Sequence, residues 1–240
     1  MVGDILNRSF DLYKAHWRHL MTVALVYYAL ASAITLALTV GFGAWGGVAG
    51  AFVLLIGAFW LTGALIEAVS DIRDGRTDLT VSETFSRVWP RVFPLLGASV
   101  LAGIGIGIGL FLLIVPGLVL LTWWSLIPAA VVLEKRGVFE SFGRSRALVR
   151  GSGWSVFGVI VITFLLTSVV SGVIGAIFSP LPTWASSYLG NALGGTVTAP
   201  FQALAITLMY FRLGGPDLPT PDDGRLELEG PEAASAPEPR

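Results

Sequence analysis

Residues 115–154 read VPGLVLLTWWSLIPAAVVLEKRGVFESFGRSRALVRGSGW. The stretch opens on a turn, Val115-Pro116-Gly117, and then runs without a charge to Leu133. Between Glu134 and Gly153 its character changes. Lys135, Arg136, Arg144, Arg146 and Arg150 stand against Glu134 and Glu140, while Phe139, Phe142 and Val149, with Ala147 or Leu148, supply a partial apolar face. Gly151-Ser152-Gly153 then releases the chain into a new apolar run from Trp154. This is the pattern of a membrane helix, a basic helix lying along the bilayer surface, and the start of the next membrane helix. Leu118 to Leu133 would make only about 24 Å of helix, against a hydrocarbon core of about 30 Å. Either the bilayer thins there or the helix begins before Pro116. Pro128 lies inside it and should bend it, unless a neighbour satisfies the freed backbone.

The same plan accounts for the whole composition. Of 240 residues, 54% are hydrophobic and only 13% charged, about half the charge of a soluble domain. The net charge of −1 conceals how strongly the charges are segregated. With no cysteine, disulfides, thiolate metal sites and cysteine nucleophiles are excluded. Ala29-Leu30-Ala31 resembles a signal-peptide cleavage site, but Asp4 and Asp11 precede it and the apolar run continues to Val40, so a retained first membrane helix is expected.

From the N-terminus, Ile5, Leu6, Phe10, Leu12, Tyr13 and Trp17 fall mostly on one side of a helical wheel, opposite Asp4, Arg8, Asp11, Lys14 and Arg18. Residues 1–19 therefore read as an interfacial helix. Membrane helix one follows from Leu20 to Val40, then a glycine-rich connection, Gly41 to Gly50, and helix two from about Ala51 to Val69. Gly43/Gly47 and Gly46/Gly50 have the spacing that lets helix backbones approach, although a flexible turn explains them equally well. Ser70 to Arg91 returns to water, with Thr80-Val81-Ser82-Glu83 shaped as a capping box before a short helix. Helix three, Phe93 to Val115, carries Gly103, Gly105, Gly107 and Gly109 and is read as central in the bundle. Helix five runs from about Trp154 to Phe178, Ser179 to Ser187 forms a proline-rich loop, and helix six runs from about Tyr188 to Phe211.

All fifteen Lys and Arg residues fall before helix one, between helices two and three, between helices four and five, or from Arg212 onward. The three alternate connections hold neither bases nor acids. Loop bias of Lys and Arg sets topology, so both termini are expected in the cytoplasm of a cell bound by this plasma membrane. The expected fold is all-α and integral to the membrane. Residues 1–212 form six transmembrane helices in three hairpins, each preceded by a short cytoplasmic interfacial amphipathic helix. Residues 213–240, rich in proline and acids, form a disordered cytoplasmic tail. Phe10, Phe85 and Phe142 mark the three short charged helices as a loose repeat, with irregular spacings of 75 and 57 residues.

From Pro116 onward, Pro116-Gly117, Trp124, Pro128-Ala129-Ala130, Val132-Leu133-Glu134, Gly137, Glu140, Arg144-Ser145, Leu148, Gly151 and Trp154 resemble the membrane domain of the glycerophosphoryl diester phosphodiesterase membrane-domain family. The resemblance extends more loosely over residues 5–212. It implies a stand-alone six-helix membrane domain without the catalytic barrel that some relatives carry, and it brings no enzyme assignment. His16 and His19 are not arranged with carboxylates as a metal phosphodiesterase would need.

No catalytic constellation, nucleotide fingerprint, cofactor motif or metal set emerges. His16 and His19 share a helix face but lack further ligands, and Asp71, Asp74 and Asp78 around Gly75 have the wrong spacing for an EF-hand. The candidate functional polar residues within crossings are Glu67, Asn191 and Gln202. Glu67, like Glu134, lies close enough to the surface to pair with Arg73 or Arg136. Asn191 and Gln202 share a face and suit interhelical hydrogen bonds. The bases Arg87, Arg91, Arg144, Arg146 and Arg150 are candidate contacts for anionic lipid headgroups. The leading reading is a non-enzymatic membrane module engaging anionic lipid or a membrane-protein partner, with no nucleic-acid role. The alternative is a transporter or permease with a path along helix three, Pro128, Pro200, Asn191 and Gln202. The remaining option, a lipid-modifying enzyme, would need Glu67 or Glu134 to converge with a base in one pocket.

Overall fold

The structure, a computed structural model, describes residues 2–73 and 80–214. The described residues form helices and no strand. Helix α1 spans Val2–Arg73, α2 Val81–Val88, α3 Val92–Leu112, α4 Ile114–Trp124, α5 Ile127–Leu133, α6 Val138–Val149, α7 Gly153–Phe178 and α8 Thr183–Arg212, with a 3-10 turn at Trp89–Arg91. Five stretches are long and apolar enough to cross a bilayer: α1, Val81–Leu112, Ile114–Leu133, α7 and Tyr188–Arg212. The proposed disordered tail and the Asp74–Asp78 turn lie outside the described residues, apart from Leu213 and Gly214.

Helix α1 is not one rod. Its backbone leaves helical geometry at His16 (φ −120°, ψ 19°) and at Gly43 (φ 59°, ψ −134°). The second conformation is one that glycine alone adopts readily. Beyond Gly43 the chain lies back along itself. The Tyr27 hydroxyl donates to the Leu54 carbonyl at 2.7 Å, and the Thr35 hydroxyl reaches the Gly50 carbonyl at 3.4 Å. The sequence placed a ten-residue connection at Gly41 to Gly50; the structure confines the reversal to Gly43. Gly46 and Gly50 are helical and buried, and a Cβ on Gly50 would lie 2.5 Å from Thr35. The absent side chains are what let the two halves touch.

A second reversal occurs at Leu113, whose extended backbone (φ −155°, ψ 127°) separates α3 from α4. The turn therefore precedes Pro116, and Pro116 sits in the first turn of α4. Its missing N–H costs nothing there, because first-turn amides lack helical partners in any case. This settles the length question: Ile114–Leu133 supplies 20 residues. Helix α8 likewise starts earlier than the sequence suggested, at Thr183 after Pro182.

Helix α3 is peripheral rather than central. Only Val92, Leu95, Ala98 and Ala102 are buried, and Ile104, Ile108 and Phe111 are exposed. Its glycines divide by face: Gly105 meets the Trp124 ring and Gly109 the backbone of Gly117, whereas Gly103 and Gly107 have nothing within 4 Å. The centre belongs to α1, α8 and α5. Leu20, Val23, Leu61, Leu65 and Val69 of α1 pack with Leu204 of α8. Met209 and Tyr210 of α8 pack with Leu126, Ala129 and Ala130. Ile127 and Val131 of α5 pack with Ile66 and Leu95. Five of the seven residues of α5 are buried, so it is wrapped on nearly all sides.

Candidate functional site at the charged end of the bundle

The charged segments meet at one end. Arg212 pairs with Asp4 at 3.3 Å, joining the end of α8 to the start of α1. The Arg73 guanidinium lies 3.8 Å over the Phe211 ring. Arg87 of α2 pairs with Glu67 of α1 at 3.6 Å, and Arg91 donates to the Lys135 carbonyl at 3.3 Å. The uncharged reversals at Gly43 and Leu113 lie at the other ends of the helices these contacts tie together.

Glu134 is the hub. It follows the last turn of α5 and its side chain is only 9% exposed. One carboxylate oxygen accepts from the Arg144 guanidinium at 2.6 Å and from the Tyr210 hydroxyl. The other accepts from Arg136. Lys135 turns the chain with a positive φ of 55°, which brings Arg136 back toward Glu134. Burial would raise the Glu134 pKa, but the hydrogen bond from Tyr210 and those from Arg136 and Arg144 outweigh it and hold the carboxyl below its usual value. Glu134 also holds Arg136 firmly protonated. Arg144 donates a further bond to the Gly214 carbonyl at 2.9 Å, so one carboxylate ties together α5, α6, α8 and the chain beyond α8.

Ser145, fully buried on α6, repairs the break between α4 and α5. Its hydroxyl donates to the Trp123 carbonyl at 2.6 Å and accepts from the Leu126 amide at 3.2 Å. Pro128 has no amide to give the preceding turn, so the helix opens at Ser125-Leu126. A hydroxyl from another helix then takes the place of the lost ladder. The buried face of α6 differs from the one its sequence suggests. Ser141, Ser145, Leu148 and Val149 point inward, while Phe139 is 79% exposed. Small hydroxyl residues let α6 lie close against the broken helix.

These contacts redistribute the predicted site residues. Arg144 is committed to Glu134, and Arg87 and Arg91 to Glu67 and Lys135. Glu67 pairs with Arg87 rather than with Arg73 or Arg136. Arg146 lies 4.4 Å over the Trp123 ring, and Arg150 caps α6 in the open. Glu67 and Glu134 are held by different arginines instead of converging on one base. Gln202 donates to the Thr167 hydroxyl at 3.2 Å between α8 and α7, the interhelical bond its position suggested. Asn191 borders a cavity of about 700 Å³ between α1, α7 and α8, beside Tyr27, Tyr28, Ser32, Ser171 and Thr198. Among the described residues no three His, Asp or Glu side chains gather into a metal-binding group. Of the repeated phenylalanines, Phe85 and Phe142 pack edge-on against Trp60 and Trp124, each at 5.0 Å, while Phe10 lies exposed beneath Lys14.

A family described as a domain of unknown function, DUF7847, matches residues 12–213. The chain belongs to this family. The DUF7847 match takes in the Glu134 hub, Ser145 and Tyr210, and stops where α8 ends. A relative, a UPF0259 membrane protein of Pectobacterium carotovorum subsp. carotovorum (strain PC1), is 31% identical over 166 residues. That alignment covers 69% of this chain and 63% of the relative, so the chain spans under two thirds of that relative's length. No solved structure matches. This DUF7847 protein is a multi-pass helical membrane protein.

Proposed function

We propose that the chain is a six-crossing module of the plasma membrane, with both termini cytoplasmic, whose basic end engages anionic lipid headgroups. The six crossings are the two halves of α1, α3, α4 with α5, α7 and α8, arranged as three hairpins. Short amphipathic helices at the N-terminus, at α2 and at α6 lie along the cytoplasmic surface. The observation that carries this reading is the gathering of charged segments at one end of the bundle, joined by Asp4–Arg212, Glu67–Arg87 and Arg91–Lys135. Bases beside a membrane surface attract anionic headgroups by about 1 kcal/mol each. The likeness of Pro116-Gly117, Trp124, Glu134 and Arg144-Ser145 to the glycerophosphoryl diester phosphodiesterase membrane domain supports a helical membrane module. The test is lipid enrichment. The full chain, extracted with its surrounding native bilayer, should carry a larger fraction of anionic phospholipid than bilayer patches prepared without it. Equal fractions would remove the reading.

A transport function is the second reading, favoured by the cavity beside Asn191, which is bordered by hydroxyls and, among the described residues, by no charged side chain. It would serve an uncharged hydrogen-bonding solute. Of the path first expected, only Asn191 borders this space. The glycines of α3 are peripheral, Pro128 lies in buried α5, and Gln202 is bonded to Thr167.

A further inference from the structure

Two cavities near α6 share a wall. One, of about 460 Å³, is lined by Arg146 and Arg150 together with Trp123, Gly151 and Gly153. The other, of about 620 Å³, uses the same Trp123, Gly151 and Gly153 and continues between α4 and α7 past Thr122, Leu118 and Phe157. Together they make one groove with a basic head and an apolar body. Among the described residues, no acidic side chain borders either part.

We propose that this groove holds one anionic phospholipid, its phosphate between Arg146 and Arg150 and an acyl chain between α4 and α7. The proposal rests on the membrane-surface reading above and narrows it to a single site. Four observations select this occupant. The charge complements a phosphate, and among the described residues these arginines, unlike Arg87, Arg91 and Arg144, are not spent on a carboxylate or a backbone carbonyl. Arg146 is held in place by stacking over Trp123, which orients its N–H groups without neutralising them. The apolar body follows α4 from Trp123 back to Val115, about 12 Å of helix, which accommodates an alkyl chain and exceeds what a free phosphate needs. Trp154, which lines the apolar part and is 89% exposed, suits the headgroup level where tryptophan collects.

The test is native mass spectrometry of the purified full chain in detergent, with phosphatidylglycerol or phosphatidylcholine added at equal concentration. The wild type should retain one phosphatidylglycerol with a preference of roughly tenfold or more over phosphatidylcholine. The Arg146→Gln/Arg150→Gln variant should lose the preference, and Val119→Trp, which fills the apolar body, should lose the bound lipid of either kind. Arg87→Gln/Arg91→Gln should keep both. Arg150→Gln alone, at an exposed position, stands in if the double variant does not fold. Excess inorganic phosphate should not displace the lipid; displacement would reduce the site to a headgroup contact and overturn the groove. Equal loss from both arginine pairs would overturn the groove while leaving a generally basic face. No preference for phosphatidylglycerol in the wild type would overturn both.

Discussion

Glu134 shows how a single carboxylate can close a helical bundle. Three donors from three segments converge on it, and none of them can be removed without leaving charge or hydrogen-bonding capacity unmet. Replacing it by glutamine leaves Arg144 and Arg136 without their counter-charge, at a cost of about 2–4 kcal/mol. The lower figure is expected, because Arg136 is 40% exposed. Its pKa is depressed in the fold, so the folded state binds its proton less readily than the unfolded chain does. The stability it contributes is therefore complete above the usual carboxylate value of 4.5 and is lost as pH falls through the lower folded value. Resistance of the purified chain to denaturation by detergent should hold from neutral pH to about pH 5 and then fall. Glu134→Gln should start lower and show a smaller decline over the same interval. An unchanged acid limb in the variant would assign that limb to another group. From sequence, Glu134 was legible as a surface-level acid and Arg136 as its partner. Tyr210 was not, because it lies 76 residues away and only tertiary packing brings it near.

At the scale of elements, the informative comparisons are between neighbours of like composition. Gly46 and Gly47 are adjacent, yet a Cβ on Gly46 would run into the Leu38 backbone, whereas on Gly47 it would find only the Thr39 hydroxyl, at 4.0 Å. Backbone cannot step aside as a side chain can. Gly46→Ala should therefore destabilise by about 1–3 kcal/mol, while Gly47→Ala should be neutral or slightly stabilising through helix propensity. Equal behaviour of the pair in a denaturation titration would show that the two halves of α1 do not meet there. Ser145→Ala belongs to the same scale. It leaves the Trp123 carbonyl and Leu126 amide unpaired within the protein, at about 1–3 kcal/mol, and Ser145→Thr, which keeps a hydroxyl, should recover part of the loss. The break at Pro128 was readable because proline carries its meaning locally. The mender was not, since Ser145 stands 22 residues from Trp123 and looks like any serine on a charged helix. The glycines of α3 misled for a related reason: spacing shows which positions can pack closely, not which of two faces finds a neighbour.

For the whole molecule, the segregation of charge was the most legible feature, because the bilayer penalises every misplaced ion and the sequence must carry that partition openly. What it could not carry was the order of the helices around the core, which depends on side-chain shape: α8 and the two halves of α1 take the centre because Gly195 admits the Tyr28 ring and Gly57 admits Tyr27. The proposed arrangement as three hairpins makes a prediction that the chain is well suited to test, because it contains no cysteine. A single cysteine can be placed at Gly41, where a side chain meets nothing within 4 Å, or at Leu181, which is 42% exposed. Both positions lie by uncharged reversals, at the end of the bundle remote from the arginines. Cells carrying Gly41→Cys or Leu181→Cys should react with a membrane-impermeant maleimide added outside. Ser82→Cys, exposed on α2, the helix that carries Arg87, should react only after the membrane is opened. Because two of these sites belong to different hairpins, matching labels at Gly41 and Leu181 require an even number of crossings between them. A label at Ser82 on the same side as both would leave the halves of α1 on one face of the bilayer and end the six-crossing arrangement.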